Sequence, residues 1–170
     1  KPIINALSDI SHPCQVISDI FTLQEHFGSL EINILWMGDM NNVLFSLLEV
    51  ISFTKNTKVD VFTDEVIYSL NKDNFNLNKN INFHFNINEE IIAQANCIMT
   101  DVFTSMNDKE DKENLLSKFQ VNENIMSLTD KKSVFMHCLP AKIGSEVTED
   151  VIKGEKSIVL AQARNRLVAQ

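Results

Sequence analysis

The chain has 170 residues, 44% apolar and 22% charged, which suits one ordinary domain with a buried core. Its net charge of −8 argues against a nucleic-acid partner, which would need a basic face. No apolar run nears the ~18 residues of a membrane span. The three cysteines, at positions 14, 97 and 138, make no disulfide framework and point to a reducing compartment.

Lys1-Pro2-Ile3-Ile4 is not a signal peptide and no Met starts the chain, so the beginning reads as cut from something longer. Ser11 is placed to cap a helix, with Pro13 in its first turn. Val16, Ile17, Ile20, Phe21 and Phe27 recur at helical spacing, and Gly28 ends the helix. His12, Cys14 and Gln15 then lie at the helix start, where unpaired N–H groups favour an anion. Residues 32–37 read as a first strand, 38–42 as a turn and 43–51 as a helix, the opening of a βαβ unit. The turn holds one glycine, Gly38, so it is no dinucleotide fingerprint. It places Asn41 and Asn42 at the carboxyl end of the strand.

Residues 58–63 alternate as a second strand, and 64–71 form a weak helix followed by a loop. A third strand covers 82–85. Asn88 caps a helix that runs through Ala95, and 96–100 is a fourth strand with Asp101 at its end. A loop over 102–108 leads to an acidic helix at 109–119 and a shorter one at 122–129. Residues 133–137 form a buried strand ending in His137-Cys138-Leu139-Pro140, since proline cannot continue a central strand. A helix over 146–153 stopped by Gly154 and a last short strand at 157–160 complete the pattern.

Strands alternating with helices predict an α/β domain spanning 1–170. The expected core is an open, mostly parallel, Rossmann-like sheet of about five strands, order 3-2-1-4-5, with helices on both faces. The turn at 38–42 and the loops at 101–107 and 137–141 all leave carboxyl ends of strands, where such sheets bind ligands. Asp101 can hold an ammonium group, Asn42 can bond an amine or a carboxylate, and backbone N–H groups near Ser105 and Met106 can take a carboxylate. That set suits an amino acid. His12, Gln15 and Arg166 suit a phosphorylated co-substrate, and Cys138 can accept or orient an amine proton. His137 and Cys138 are adjacent on a strand and should face opposite ways, so no metal site is expected.

Several blocks carry a resemblance. They are Asn5-Ala6-Leu7-Ser8-Asp9, Ser11-His12-Pro13-Cys14-Gln15, Gln24-Glu25-His26-Phe27-Gly28 and Gly38-Asp39-Met40-Asn41-Asn42. Thr100-Asp101-Val102 with Ser105-Met106 follows, then His137-Cys138-Leu139-Pro140-Ala141, Glu146-Val147-Thr148 and Gln162-Ala163-Arg164-Asn165-Arg166. In this order they resemble the C-terminal, amino-acid-binding domain of the ornithine carbamoyltransferases. The resemblance implies transfer of a carbamoyl group from carbamoyl phosphate to the ornithine side-chain amine, giving citrulline and phosphate, with no metal or organic cofactor. It implies that His12, Gln15 and Arg166 contact carbamoyl phosphate, His12 polarising the carbonyl oxygen, and that Leu139 offers backbone to the carbamoyl group. Asn42, Asp101, Ser105 and Met106 would bind ornithine, with Cys138 beside the reacting amine.

The phosphate-binding Ser-x-Arg-Thr segment of the family belongs to an N-terminal domain and has no match here, so this chain is expected to be half of a two-domain enzyme and inactive alone. The resemblance also implies a truncated final helix, a homotrimer or multiple of it for the parent, and a cytoplasmic location (mitochondrial matrix for a eukaryotic source). Three positions depart from the family: Met40 and Asn107, where Gly is usual, and Arg164, where Glu is usual. A relative acting on another amine and a non-catalytic amino-acid-binding module are the alternative readings.

Overall fold

The structure is a computed structural model that describes residues 3–76, 78–104 and 112–170. Five strands form one sheet of order β3-β2-β1-β4-β5: β1 (Asn33–Met37), β2 (Lys58–Phe62), β3 (Ile81–His84), β4 (Cys97–Thr100) and β5 (Val134–His137). Every pairing in it is parallel. The expected order is therefore present, and its register aligns Met37 with Phe62, Trp36 with Met99 and Thr100 with His137. The carboxyl ends of β1, β4 and β5 lie side by side. Ile34 to Met37, all of β4 and all of β5 are buried, as expected for strands covered on both faces.

Helices α1 (Pro13–Phe27), α2 (Asn42–Ile51) and α8 (Val159–Ala169) pack as one layer. Helices α4 (Glu89–Gln94), α6 (Glu123–Leu128) and α7 (Glu149–Ile152) pack as another. Two further helices, α3 (Glu65–Asn71) and α5 (Glu113–Leu116), complete the set among the described residues. Asparagine and aspartate set many of the starts. Asn41, Asp64, Asn88 and Asn122 each accept backbone N–H groups of the turn that follows. No helix among the described residues is long and apolar enough to cross a membrane.

Several sequence expectations change. Ser11 does not cap α1. His12 holds the cap position without a side-chain cap bond, and the Ser11 hydroxyl lies 3.2 Å from that of Ser46. The helix expected at 146–153 shortens to Glu149–Ile152, because Glu146 is drawn into the core by His137 and Val147 bridges to Val121. The strand expected at 157–160 does not form. Ser157 makes one isolated bridge to Phe135, and α8 begins two residues later. Apolar β-formers at 158–160 misled the reading, because α8 buries only Val159, Gln162 and Asn165, a stripe that is mostly polar. Of the acidic segment, 112 onward is described: α5 and a 3-10 turn at Ser117–Phe119. Met40 avoids positive φ, as its replacement of glycine requires, and is buried.

Gly38 is the turn residue that cannot change. Its φ is +132°, and a Cβ there would sit 2.8 Å from the ring of buried Phe103. The β1–α2 turn thus closes against the loop that follows β4. Gly38→Ala should lower the stability of the chain by about 2 kcal/mol or more, combining left-handed strain with overpacking. Urea unfolding with an unchanged midpoint would contradict this account.

Candidate active site

The site is built on the carboxyl ends of three adjacent strands. Asp101 leaves β4 and is only 9% exposed. Its Oδ2 accepts Asn41 Nδ2–H at 2.7 Å, and its Oδ1 accepts the Cys138 thiol at 2.9 Å. One carboxylate thus fastens the turn after β1 to the loop after β5. Asn41 uses both ends of its amide, since its Oδ1 also caps α2 by accepting the N–H groups of Val43 and Leu44. Sequence reasoning favoured Asn42 instead. The Asn42 amide reaches back to the Ser8 carbonyl at 2.7 Å and anchors the segment before α1. A groove of about 710 Å³ passes Ser8, Asn41, Asn42, Val102 and the ion pair of Asp39 with Lys112. Ser105, Met106 and Asn107 lie outside the described residues.

Cys138 is half-buried at the crevice, whereas Cys14 and Cys97 are buried. Burial pushes the Cys138 thiol well above its ordinary pKa, and the Asp101 charge and hydrogen bond push it further. It is held as a thiol that donates to Asp101. The loop beyond it is fixed from within. Leu139 takes a left-handed φ of 55°, and its N–H donates to His137 Nδ1 at 2.9 Å. Its backbone amide is therefore spent, and the carbonyl is the backbone group it has to offer.

The His137 ring is buried, with Nε2 at 3.1 Å from a Glu146 carboxylate oxygen that also accepts the Lys142 N–H. Because Nδ1 accepts, Nε2 carries the hydrogen. Ligand-capable atoms of Asp101, His137 and Cys138 do come within 4.8 Å of one another, so the expectation that His137 and Cys138 face apart fails where the strand ends. Both ring nitrogens of His137 are nevertheless engaged in hydrogen bonds.

His12 lies within reach of the charges of both Asp101 and Arg166, and Arg166 is bonded to Gln15. The His12 N–H donates to Ser46 Oγ, and Nδ1 faces the Ala6 carbonyl at 2.9 Å, so Nδ1 carries the hydrogen and Nε2 a lone pair when the ring is neutral. Burial lowers the His12 pKa and the Arg166 charge lowers it further, against the Ala6 bond and the Asp101 charge. Gln15 is buried, with its Oε1 accepting Arg166 Nη1 at 2.6 Å and its Nε2 donating to Asp19 Oδ1 at 2.7 Å. Gln162 Nε2 donates to the same oxygen at 2.7 Å, and Gln162 Oε1 accepts the His137 N–H at 3.0 Å. Desolvation raises the fully buried Asp19 carboxyl to about 7. Arg164 is exposed and makes no contact with Arg166, because two helical positions are about 200° apart. Its charge reversal stays outside this cluster.

Sequence reasoning missed Asp19, and it placed Asn41 at the strand end and Gln162 and Glu146 in matching blocks without giving any of them a role. A signal for Asp19 existed. Gln15, Ser18, Asp19 and Thr22 make a polar stripe at helical spacing, and that stripe, not Ile17 and Phe21, faces inward.

Two measurements follow from these shifts. Alkylation of Cys138 should be slow at neutral pH, and Asp101→Asn, which removes the neighbouring charge, should speed it severalfold by lowering the thiol pKa. An unchanged rate, with Cys138→Ser as the blank, would remove Asp101 from that role. Asp19 has a folded pKa above its unfolded one. Its contribution is therefore fully present below about pH 4 and lost as pH rises through about 7, a fall on the order of 4 kcal/mol. Unfolding curves between pH 4 and 8 should show that fall in the native sequence relative to Asp19→Asn, which cannot ionise. Parallel curves would mean that Asp19 titrates as a solvated acid.

The family model for the aspartate/ornithine carbamoyltransferase Asp/Orn binding domain matches residues 30–170. An ornithine carbamoyltransferase of Rhodopseudomonas palustris is 42% identical over 99% of the chain and 56% of its own length, and one of Brucella abortus is 40% identical over 99% and 55%. Among solved structures, the ornithine carbamoyltransferase of Thermus thermophilus superposes with a TM-score of 0.83 at 38% identity, covering 99% of this chain and 56% of that one. That of Burkholderia thailandensis gives 0.87 at 32% identity, covering 99% and 55%. The chain spans about half the length of the relatives it matches. Sheet order, strand-end loops and these matches agree: the chain belongs to the aspartate/ornithine carbamoyltransferase family, as its amino-acid-binding domain.

Proposed function

We propose that this chain is the ornithine-binding half of a carbamoyltransferase that makes citrulline and phosphate from ornithine and carbamoyl phosphate. The observation that carries the reading is the Asp101 carboxylate, bonded on one side to Asn41 and on the other to the Cys138 thiol, beside His12 and Arg166. Each Asp101 oxygen keeps lone-pair capacity for an ammonium group, so Asp101 holds the α-amino group of ornithine. The side-chain amine then lies by Cys138. A bound ammonium favours the thiolate and opposes the Asp101 charge, so the thiol can exchange a proton with the amine only in the complex.

Arg166 meets the phosphate, steadied by Gln15. The arriving dianion offsets the guanidinium and raises the His12 pKa toward the imidazolium, the form that can donate from Nε2 to the carbamoyl oxygen. The Leu139 carbonyl accepts from the carbamoyl NH2. The amine nitrogen attacks the carbamoyl carbon, the bond from that carbon to the phosphate oxygen breaks, and the proton lost by the amine leaves on phosphate. No step calls for a metal or organic cofactor.

Carbamoyl phosphate also needs a second half. Ile3, Ile4, Leu160, Leu167 and Val168 are all more than 70% exposed, apolar side chains that a companion domain would cover. Catalysis depends on holding amine and carbon together, worth up to roughly 7–11 kcal/mol when complete. The 170-residue chain alone should therefore make no citrulline, and activity should appear on mixing with a separately expressed carbamoyl-phosphate-binding domain. Turnover by the chain alone would overturn the half-enzyme reading. In the two-domain protein, Asp101→Asn should cost roughly 1.5–3 kcal/mol in kcat/KM for ornithine, the scale of a hydrogen bond to a charged group. An unchanged value would exclude Asp101 as the ammonium partner.

A further inference from the structure

Helix α1 carries a buried polar stripe, and α8 answers it. Ser18 Oγ donates to the Gln162 carbonyl at 3.0 Å, and Asn165 Nδ2 donates to Thr22 Oγ1 at 3.0 Å and to Glu25 at 2.7 Å. Asp19 sits at the centre with no solvent exposure. Its Oδ1 takes an amide hydrogen from both Gln15 and Gln162, and its Oδ2 has no hydrogen-bond partner among the described residues.

A glutamine amide has two ends, a donor and an acceptor, and turning it over exchanges them. An oxygen that accepts from both amides settles both choices at once. With each NH2 turned toward Asp19, each Oε1 must point away. Gln15 Oε1 then meets the Arg166 guanidinium, and Gln162 Oε1 meets the His137 backbone N–H. Turning either amide over would set an oxygen against the Asp19 oxygen, and an NH2 against a second donor. We propose that Asp19 is a positioning residue that, from one buried oxygen, aims Gln15 at Arg166 and Gln162 at the strand end that carries Cys138.

The two arms of the site are thereby set by one group that touches neither reactant. The neutral acid serves as well as the carboxylate, with its proton on Oδ2 while Oδ1 accepts. Asparagine reproduces that arrangement, because its oxygen can take both amide hydrogens. Leucine is close in size and offers no acceptor. The kinetic part of this inference rests on the carbamoyl-transfer reading, whereas the exchange part does not.

The test uses the intact protein that carries this chain, as the native sequence, Asp19→Asn, Asp19→Leu, Asp19→Ala and Gln162→Met. Hydrogen exchange is followed in the peptide containing His137, and steady-state kinetics are measured with carbamoyl phosphate and ornithine. Asp19→Leu should speed exchange at His137, raise KM for carbamoyl phosphate by about tenfold and lower kcat, while KM for ornithine stays within about threefold. Asp19→Asn should restore exchange and KM to near native values. Exchange and KM unchanged in Asp19→Leu, or damage in Asp19→Asn as great as in Asp19→Leu, would overturn the proposal. If Asp19→Leu does not fold, Asp19→Ala, which removes the same acceptor without added bulk, decides, with Gln162→Met as the positive control for exchange. Faster exchange at His137 with a lower kcat in Asp19→Ala supports the role, and unchanged exchange overturns it. A native protein that makes no citrulline refutes the carbamoyl-transfer reading alone, and the exchange results then decide the role of Asp19.

Discussion

A carboxylate taken out of water must find donors, and Asp101 finds them on two loops that are far apart in sequence. This requirement organises the crevice. Asn41 can satisfy Asp101 because β1 and β4 are neighbours, and Cys138 can because β5 lies on the other side of β4. A sheet without β4 between β1 and β5 would leave the carboxylate short of a partner. Burial, with the Asp101 charge and bond added, keeps the thiol protonated, and the bond from Asn41 makes that turn residue part of the site. The Gly38 turn, pressed on Phe103, keeps the first of these loops close enough to take part.

Beneath the crevice a second set of buried polar groups repeats the logic. Gln15, Asp19 and Gln162 are each saturated on at least one side by another member, and their outer ends face Arg166 and His137. The strand-end crevice is therefore backed by a second buried polar cluster between α1 and α8. Buried networks in which both ends of each amide are engaged favour a single arrangement, because turning either amide over strands a donor or an acceptor.

The sheet was legible because its signal is local. Short apolar runs such as Ile34 to Met37 and Val134 to His137 can hardly be anything but buried strands between turn residues, and alternation with helices dictates parallel pairing. The strand ends were legible for the same reason, which brought Asp101, Cys138 and the turn at 38–42 to one edge. What escaped was everything decided by distant partners. Periodicity marked α1 as a helix but gave its inner face to Ile17 and Phe21, which are 52% and 38% exposed. The inward stripe is polar because α8 supplies matching groups more than 140 residues away. The run at 158–160 has the composition of a strand and is the start of that helix. Asn41 and Asn42 are chemically alike, and only the fold separates the one that meets Asp101 from the one that anchors Ser8.

The seam between α1 and α8 also has a consequence in time. Helix α1 leaves the ribosome well before α8, and all five strands are made between them. Until α8 emerges, Asp19 lacks the Gln162 amide and Gln15 lacks Arg166, so α1 can dock only through apolar residues such as Val16 and Leu23. The sheet can assemble strand by strand as the chain lengthens, but the polar seam closes only when synthesis of this segment is finished. The pair of Gln15 and Arg166 therefore stays apart until α8 is made, and it becomes ordered as the seam closes.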